Sequence, residues 1–336
     1  MTRRGSLPRA SYATAHRVWV EPLPTRAKPE LIIVGQVTID DVVPATPGAW
    51  KRQIGGSSLY ALAGARLWLD ASRIALLARV GHDYPFDVER LLRGVGLHHV
   101  ALPSFPGEHL VEWLIYEADG SRRSLPRNPG LLDVGAEGSS SLQPYLQRLL
   151  DIAPTAGQIP TTWLPAPALH LCPQAGNRHR DSLSALRNSV RWISIDPSPH
   201  YSRSLDPVSL AQYLEGATAF LPSAQELRPL LHRYEPAALA LELHRLGIAE
   251  VILKRGADPI VLAHHGAVQS VPITSIPVVD PTGAGDSFCG AYAACRLLGH
   301  EPLEAARRAA ASAALIVGCS GVESALELAV EASGPL

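Results

Sequence analysis

Asp280-Pro281-Thr282-Gly283-Ala284-Gly285-Asp286-Ser287-Phe288-Cys289-Gly290 follows an apolar run over 273–279 and reads as a strand, a tight turn of small residues and a helix. Gly283, Ala284 and Gly285 let backbone N–H groups crowd around one point at a helix N-terminus, where unpaired donors and the helix dipole favour an anion. A phosphate suits that geometry. Asp286 in the first turn sets a carboxylate beside the anion hole, which makes electrostatic sense when that carboxylate takes a proton from a nucleophile attacking phosphorus. Taken alone, the motif also admits a plainer reading, in which Asp286 complements the dipole and the glycines only turn the chain.

The 336 residues suffice for one large α/β domain, with 46% hydrophobic and 18% charged residues in globular proportion. A net charge of -1 exerts no overall pull toward nucleic acid or an anionic membrane. No apolar run nears the roughly 20 residues of a membrane span, so the expected partner is a small molecule. Cys172, Cys289, Cys295 and Cys319 are scattered without a C-x-x-C pair and read as reduced thiols of a cytoplasmic protein. Residues 1–29 carry six basic side chains, Arg3, Arg4, Arg9, Arg17, Arg26 and Lys28, against Glu21. They read as a flexible extension lacking the apolar core of a secretory signal, which leaves 30–336 as the folded domain. The adjacent pairs His98-His99 and His264-His265 would point to opposite faces of a strand and so do not read as metal ligands.

Leu31-Ile32-Ile33-Val34-Gly35 is a continuous apolar run ending in glycine, the pattern of a central strand buried on both faces. A helix over 56–70 and a strand over 73–80 complete a β-α-β unit. Helices are expected near 86–95, 181–190, 207–214, 224–232 and 236–246, and strands over 168–172, 192–196, 217–221 and 250–254. This alternation specifies a parallel sheet with helices on both faces. Strand-like segments over 109–116 and 122–125 around the turn Asp119-Gly120, with extended companions over 39–43 and 51–54, break the rhythm and form a small separate sheet, a lid. The stretch 126–141 reads as a loop. Ligands of open α/β sheets bind at the carboxyl ends of the strands, where Gly35, Asp196 and Asp280 all fall.

These residues resemble the ribokinase-like (PfkB) carbohydrate kinases over about 31–328. The resemblance rests on the run from Asp280 to Asp286 with Phe288 and Gly290, on Gly35-Gln36-Val37-Thr38-Ile39-Asp40, and on Gly55-Gly56 opening a helix. It implies a three-layer α/β/α domain with a mainly parallel central sheet and a small β lid, using ATP, Mg²⁺ and a K⁺ site. In that scheme Asp286 is the base, and the amides of Gly283, Ala284 and Gly285 stabilise the transferred group. Asp40 grips substrate hydroxyls, since one carboxylate can accept from two neighbouring hydroxyls; its plain alternative is a surface-turn Asp beside Asp41. Gly55 and Gly56 let backbone approach the ligand, and Tyr60 stands where sugar-specific members carry an amide.

Pro222-Ser223-Ala224-Gln225-Glu226 is similar to the family's Asn-x-x-Glu element with Ser223 in place of Asn. Glu226 would organise water around Mg²⁺, or merely sit in the first turn of a helix capped by Ser223. The run from Val251 to Gly256 resembles the nucleotide-side loop, with Lys254 reaching an ATP phosphate beside Gly256, and with Pro259 where the family has Gly. By the same resemblance the helix over 302–317 and the turn Cys319-Ser320-Gly321 wall the adenine, and Asp280 and Thr282 with that turn hold a monovalent cation.

The function expected is ATP-dependent phosphorylation of a hydroxyl on a small sugar or polyol. A nucleoside kinase is the alternative on the same scaffold, served by Trp50, Tyr60 or Trp113 as stacking aromatics. A non-catalytic, ligand-sensing relative is a third reading, which an intact Asp286 opposes. Cations available to grip a phosphorylated acceptor are Arg122, Arg123 and Arg127 with Lys51 and Arg52. Arg122 and Arg123 must point to opposite faces of their strand and read as edge protection, so the acceptor is expected to be unphosphorylated. The lid, with Trp113 and Ile115 on one face, is the expected surface for a homodimer. No Walker A run and no G-x-G-x-x-G after the first strand occurs.

Overall fold

Leu31–Val34 is buried at all four positions, with Ile32 and Val34 in one apolar cluster and Leu31 and Ile33 in another. A strand that is apolar on both faces must be covered on both, and that requirement sets the three layers. The computed structural model describes residues 27–43, 51–116, 122–126, 143–274 and 276–332.

The central sheet has nine strands, in the order Ala267–Val271, Asp258–His264, Glu250–Arg255, Ala219–Phe220, Val190–Ile195, Ala166–Leu171, Leu31–Val34, Ile74–Leu77 and His99–Ala101. From Glu250–Arg255 to His99–Ala101 every pairing is parallel. The last two strands at the other edge pair antiparallel. On one face Leu183, Leu186, Leu210, Leu239 and Leu243 come from the helices Arg178–Leu186, Pro207–Tyr213 and Pro236–Arg245. On the other face lie Ser57–Arg66, Ala284–Leu297, Pro302–Ile316 and Gly321–Ala332.

Two of these helices cross in backbone contact. A methyl group at Gly64 would sit 1.9 Å from the Ser287 carbonyl oxygen, and one at Gly290 would sit 1.8 Å from that of Ala61. Glycine at both points lets Ser57–Arg66 and Ala284–Leu297 close on each other, which brings the Gly55-Gly56 turn and the Gly283 turn to one cleft.

The lid is a separate four-stranded sheet in the order Lys51–Gly55, Thr38–Val43, Val111–Tyr116 and Arg122–Pro126. Asp40 pairs in register with Gln53 on one side and with Glu112 on the other, so these three residues share one face. Asp41, Arg52 and Trp113 share the opposite face.

Several expectations are corrected. The run 273–279 is not a strand: Pro272 and Pro277 remove backbone donors, and Val278 and Val279 are 58% and 63% exposed. The strands Asp258–His264 and Ala267–Val271 before it were not anticipated. His265 is not a strand residue but, with Gly266, forms their turn at φ 48° and 75°. The helix expected over 224–232 shortens to Arg228–Leu231. An unanticipated helix, Gln143–Ile152, leads into the cleft, its signal being Leu146, Leu149 and Leu150 at helical spacing. Residues 1–26, Trp50, the Asp119-Gly120 turn, Arg127 and the side chains of Arg122 and Arg123 lie outside the described residues. No helix among the described residues is long and apolar enough to cross a membrane.

Candidate active site

Gly283 caps the helix Ala284–Leu297 in the left-handed conformation, φ 74°, and no side chain caps that N-terminus. The Ala284 amide donates to the Pro281 carbonyl at 3.3 Å, a correction to its expected role, and the amides of Gly283 and Gly285 are left to whatever occupies the turn. A side chain at Gly283 would strike the Tyr60 ring at 2.1 Å, so Tyr60 is a buried buttress behind the turn. Asp280 fixes the approach: Oδ1 accepts from the Thr282 amide at 2.9 Å and Oδ2 from the Gly321 amide at 3.3 Å. Both oxygens of the residue expected to face a cation thus hold backbone. Ser320 is exposed, whereas Gly321 is buried.

Asp286 stands in the first turn of this helix. Burial, and after it the Asp286 carboxylate, hold the Cys172 thiol well above its ordinary pKa, and Asp286 also contributes to raising Cys289 and Glu226. Its field therefore reaches the end of the strand Ala166–Leu171, the Ser223 turn and the interior of its own helix.

Lys254 lies directly behind the Gly283 turn, its Nζ 3.4 Å from where a Gly285 side chain would begin. The residue is 8% exposed, and Nζ donates to both Asp196 oxygens at 2.9 Å and to Cys289 Sγ at 3.1 Å. An ammonium has three donors, and these contacts take all of them. The side chain thus faces Asp196 rather than open space, a correction to the expectation that it reaches out to a phosphate. Burial opposes the charge, but the Asp196 carboxylate outweighs it and holds Lys254 well above the ordinary lysine pKa. Asp196 was placed at a strand end by the sequence, yet nothing in the chain's order announces its pairing with a residue 58 positions away. Gly256 forms the exposed hairpin corner after Lys254, at φ 65°.

Ser223 and Glu226 cap each other: Glu226 Oε2 accepts from the Ser223 amide at 2.6 Å, and the Glu226 amide donates to Ser223 Oγ at 3.3 Å. Burial pushes the Glu226 carboxyl up against the pull of Lys254. The Ala224 amide donates to the Lys254 carbonyl, which ties this turn to the lysine strand.

On the lid, Asp40 is 3% exposed and accepts from Thr38 Oγ1 at 2.7 Å. A methyl at Gly55 would fall 1.9 Å from Asp40 Oδ2. The space beside the Gly55 α-carbon is filled by this carboxylate. Gly56 is needed for backbone reasons, with φ 117° and the Gln36 carbonyl 2.3 Å from a would-be methyl. Asp41 is not a surface residue either; it is buried and bonded twice to Arg52 at 2.7 and 2.8 Å. Burial and then Asp40 raise the Tyr84 hydroxyl far above its ordinary pKa, which makes Tyr84 a neutral neighbour of Asp40. Tyr145, from the unanticipated helix, donates to Glu112 at 3.4 Å and lies 6.5 Å from the His200 ring.

Residues 195–329 match the sequence model of the family described as pfkB family carbohydrate kinase. Over these residues the chain is similar to the pfkB family. A cytidine kinase of Thermococcus kodakarensis is 24% identical over 278 residues, spanning 79% of this chain and 87% of that protein. A 2-dehydro-3-deoxygluconokinase of Dickeya dadantii is 39% identical over 88 residues, but these span only 25% of this chain and 28% of the relative's length. An Escherichia coli structure described as a ribokinase II in complex with ATP and Mg²⁺ aligns with a TM-score of 0.63 at 19% identity, covering 90% of this chain and 99% of that one. At that identity the likeness shows the fold, which is ribokinase-like. The match and these kinase-named relatives support a phosphotransferase. The matched pfkB region holds Asp196, Glu226, Lys254, the Asp280–Asp286 turn and Gly321, whereas Asp40 and Gly55-Gly56 lie upstream of it.

Proposed function

We propose that this chain transfers the terminal phosphoryl group of ATP to a hydroxyl of a small, uncharged sugar, polyol or nucleoside. One observation carries the reading: Asp286 stands at an uncapped helix N-terminus opened by left-handed Gly283. Asp286 accepts the proton of the acceptor hydroxyl as its oxygen bonds to phosphorus, and the bond to the ADP oxygen breaks. The amides of Gly283 and Gly285 meet the charge on the transferred group, while that of Ala284 closes the turn onto the Pro281 carbonyl. Lys254, neutralised in part by Asp196, adds its field from behind rather than a direct contact. Gly256 and Ser320 stand at the rim of the nucleotide side, where the exposed apolar side chains of Val278, Val279 and Leu315 offer a platform for a base.

The donor set also fits the metal. Glu226 offers an oxygen donor that a hydrated Mg²⁺, carried largely by phosphates, would reach through water. When bound, Mg²⁺ neutralises phosphate charge. The two oxygens of Asp280 hold amides, so a K⁺ there would rely on backbone carbonyls of the same turn.

The acceptor is read as uncharged because Asp40 and Glu112 lie in register on one lid face, and two carboxylates disfavour an anion beside them. Arg52 is committed to Asp41 on the opposite face, and Lys51 is exposed at the strand's outer end. The nucleoside form is favoured by the cytidine kinase relative, which is matched along 87% of its length against 28% for the 2-dehydro-3-deoxygluconokinase. Its aromatic contact is Tyr145, since Tyr60 is a buttress and Trp113 lies on the lid face away from Asp40. Mass spectrometry of ribose, fructose, cytidine, inosine and their monophosphates, each incubated with ATP and Mg²⁺, tests the reading. Turnover of the monophosphates alone would refute it.

A further inference from the structure

Three residues form a row across the Asp40 face of the lid: Gln53, Asp40 and Glu112. Gln53 is 6% exposed, yet its side-chain amide makes no hydrogen bond among the described residues. The little of it that solvent reaches includes both amide atoms, because neither is sealed in. Oε1 and Nε2 rest against Gly321, 3.0 and 3.2 Å from where a side chain there would begin. Buried amides in native proteins are normally satisfied, and an unsatisfied one is costly. A long amide pressed among small groups, beside the carboxylate assigned to hydroxyl binding, therefore lacks a partner that the protein itself does not supply.

We infer that Gln53 is a specificity-determining residue whose amide hydrogen-bonds the acceptor next to the hydroxyls held by Asp40. The inference rests on the acceptor-site reading above. Its chemistry differs from that of its neighbours in the row. Ionised Asp40 and Glu112 only accept hydrogen bonds, whereas Gln53 both donates and accepts. Gln53 thus supplies what two carboxylates lack, a donor for an oxygen carrying no hydrogen: a sugar ring oxygen, or a carbonyl of a ketose or nucleobase. The Gly321 contact fixes the amide in place. Gly321 is at φ 76° and its own amide is held by Asp280, so the backstop is tied to the Gly283 turn.

The test compares Gln53→Met, which keeps the length and removes the polarity, and Gln53→Glu, which removes the donor. The acceptor is whichever compound the wild type phosphorylates in the panel of ribose, fructose, cytidine, inosine and their monophosphates, so the panel judges the uncharged-acceptor reading and the variants judge Gln53. Both variants are expected to raise the acceptor KM about tenfold or more, the size of one lost hydrogen bond at a partly buried site, with ATP affinity unchanged. The thermal midpoint of Gln53→Met without ligand is expected to stay level, because the amide removed makes no hydrogen bond among the described residues. An acceptor KM unchanged in Gln53→Met would overturn the inference. So would a lowered midpoint in Gln53→Met, read without any acceptor, which would assign the amide a structural role.

Discussion

Gly55→Ala is the sharpest perturbation of the acceptor side, because it leaves every polar group in the sequence and displaces one. The new methyl would fall 1.9 Å from Asp40 Oδ2, 2.2 Å from Cγ and 2.6 Å from Oδ1. Those distances are inside contact range for every atom of the carboxylate, so the side chain must leave, and with it the bond from Thr38 Oγ1 at 2.7 Å. Gly55 is not among the positive-φ glycines, so alanine suits the backbone and the effect is steric alone. If Asp40 holds two acceptor hydroxyls, each hydrogen bond to the ionised group contributes about 1.5–3 kcal/mol, and losing both raises the acceptor KM by about 10²–10⁴. Overpacking costs about 1–3 kcal/mol of stability, which a folded domain of this size survives. The assay is coupled detection of ADP with acceptor varied at saturating ATP, alongside calorimetry of a non-hydrolysable ATP analogue. ATP-analogue affinity is expected to hold. An acceptor KM within about threefold of wild type, in a folded variant, would refute the assignment of Asp40.

Asp286→Asn is expected to lower kcat by about 10²–10⁴ while nucleotide binding persists, and single-turnover kinetics retaining more than about a third of wild-type rate would exclude a general base. Lys254→Met strands the Asp196 carboxylate and is expected to cost about 3–5 kcal/mol at neutral pH in urea unfolding. Unpaired, Asp196 has a folded pKa above its unfolded value, so the deficit against wild type should be smaller at pH 5 than at pH 8, and a pH-independent deficit would contradict the pairing. Burial lowers His109 and His179 to about 4 and His170 to about 3. The unfolded chain then binds protons that the folded one refuses, and stability should fall as pH drops from about 6.5 toward 4, by up to about 1.4 kcal/mol per histidine per pH unit. Urea midpoints that do not decline between pH 7 and pH 5 would contradict this.

The Gly283 turn and the helix it opens are legible in the sequence because their geometry is local: glycines, a helix start and Asp286 stand within a few residues of one another wherever the fold places them. The alternation around Leu31–Val34 was legible for the same reason, since a strand apolar at every position admits only a sheet covered on both faces. The run 273–279 misleads because its apolar composition masks Pro277, which with Pro272 just before it removes donors that pairing needs, and the signal of the helix Gln143–Ile152 is obscured by the long loop-like stretch beside it. What only the tertiary structure decided are contacts between residues far apart in the chain. Lys254 looked like a residue free to reach a phosphate, until Asp196, 58 positions earlier, took its charge. That the space beside Gly55 belongs to the Asp40 carboxylate is likewise a product of cross-strand packing. Gln53 carried no signal at all: an amide on a lid strand becomes notable only when the fold buries it against Gly321 and leaves it without a partner, because burial and satisfaction are properties of the assembled interior and not of the chain's order.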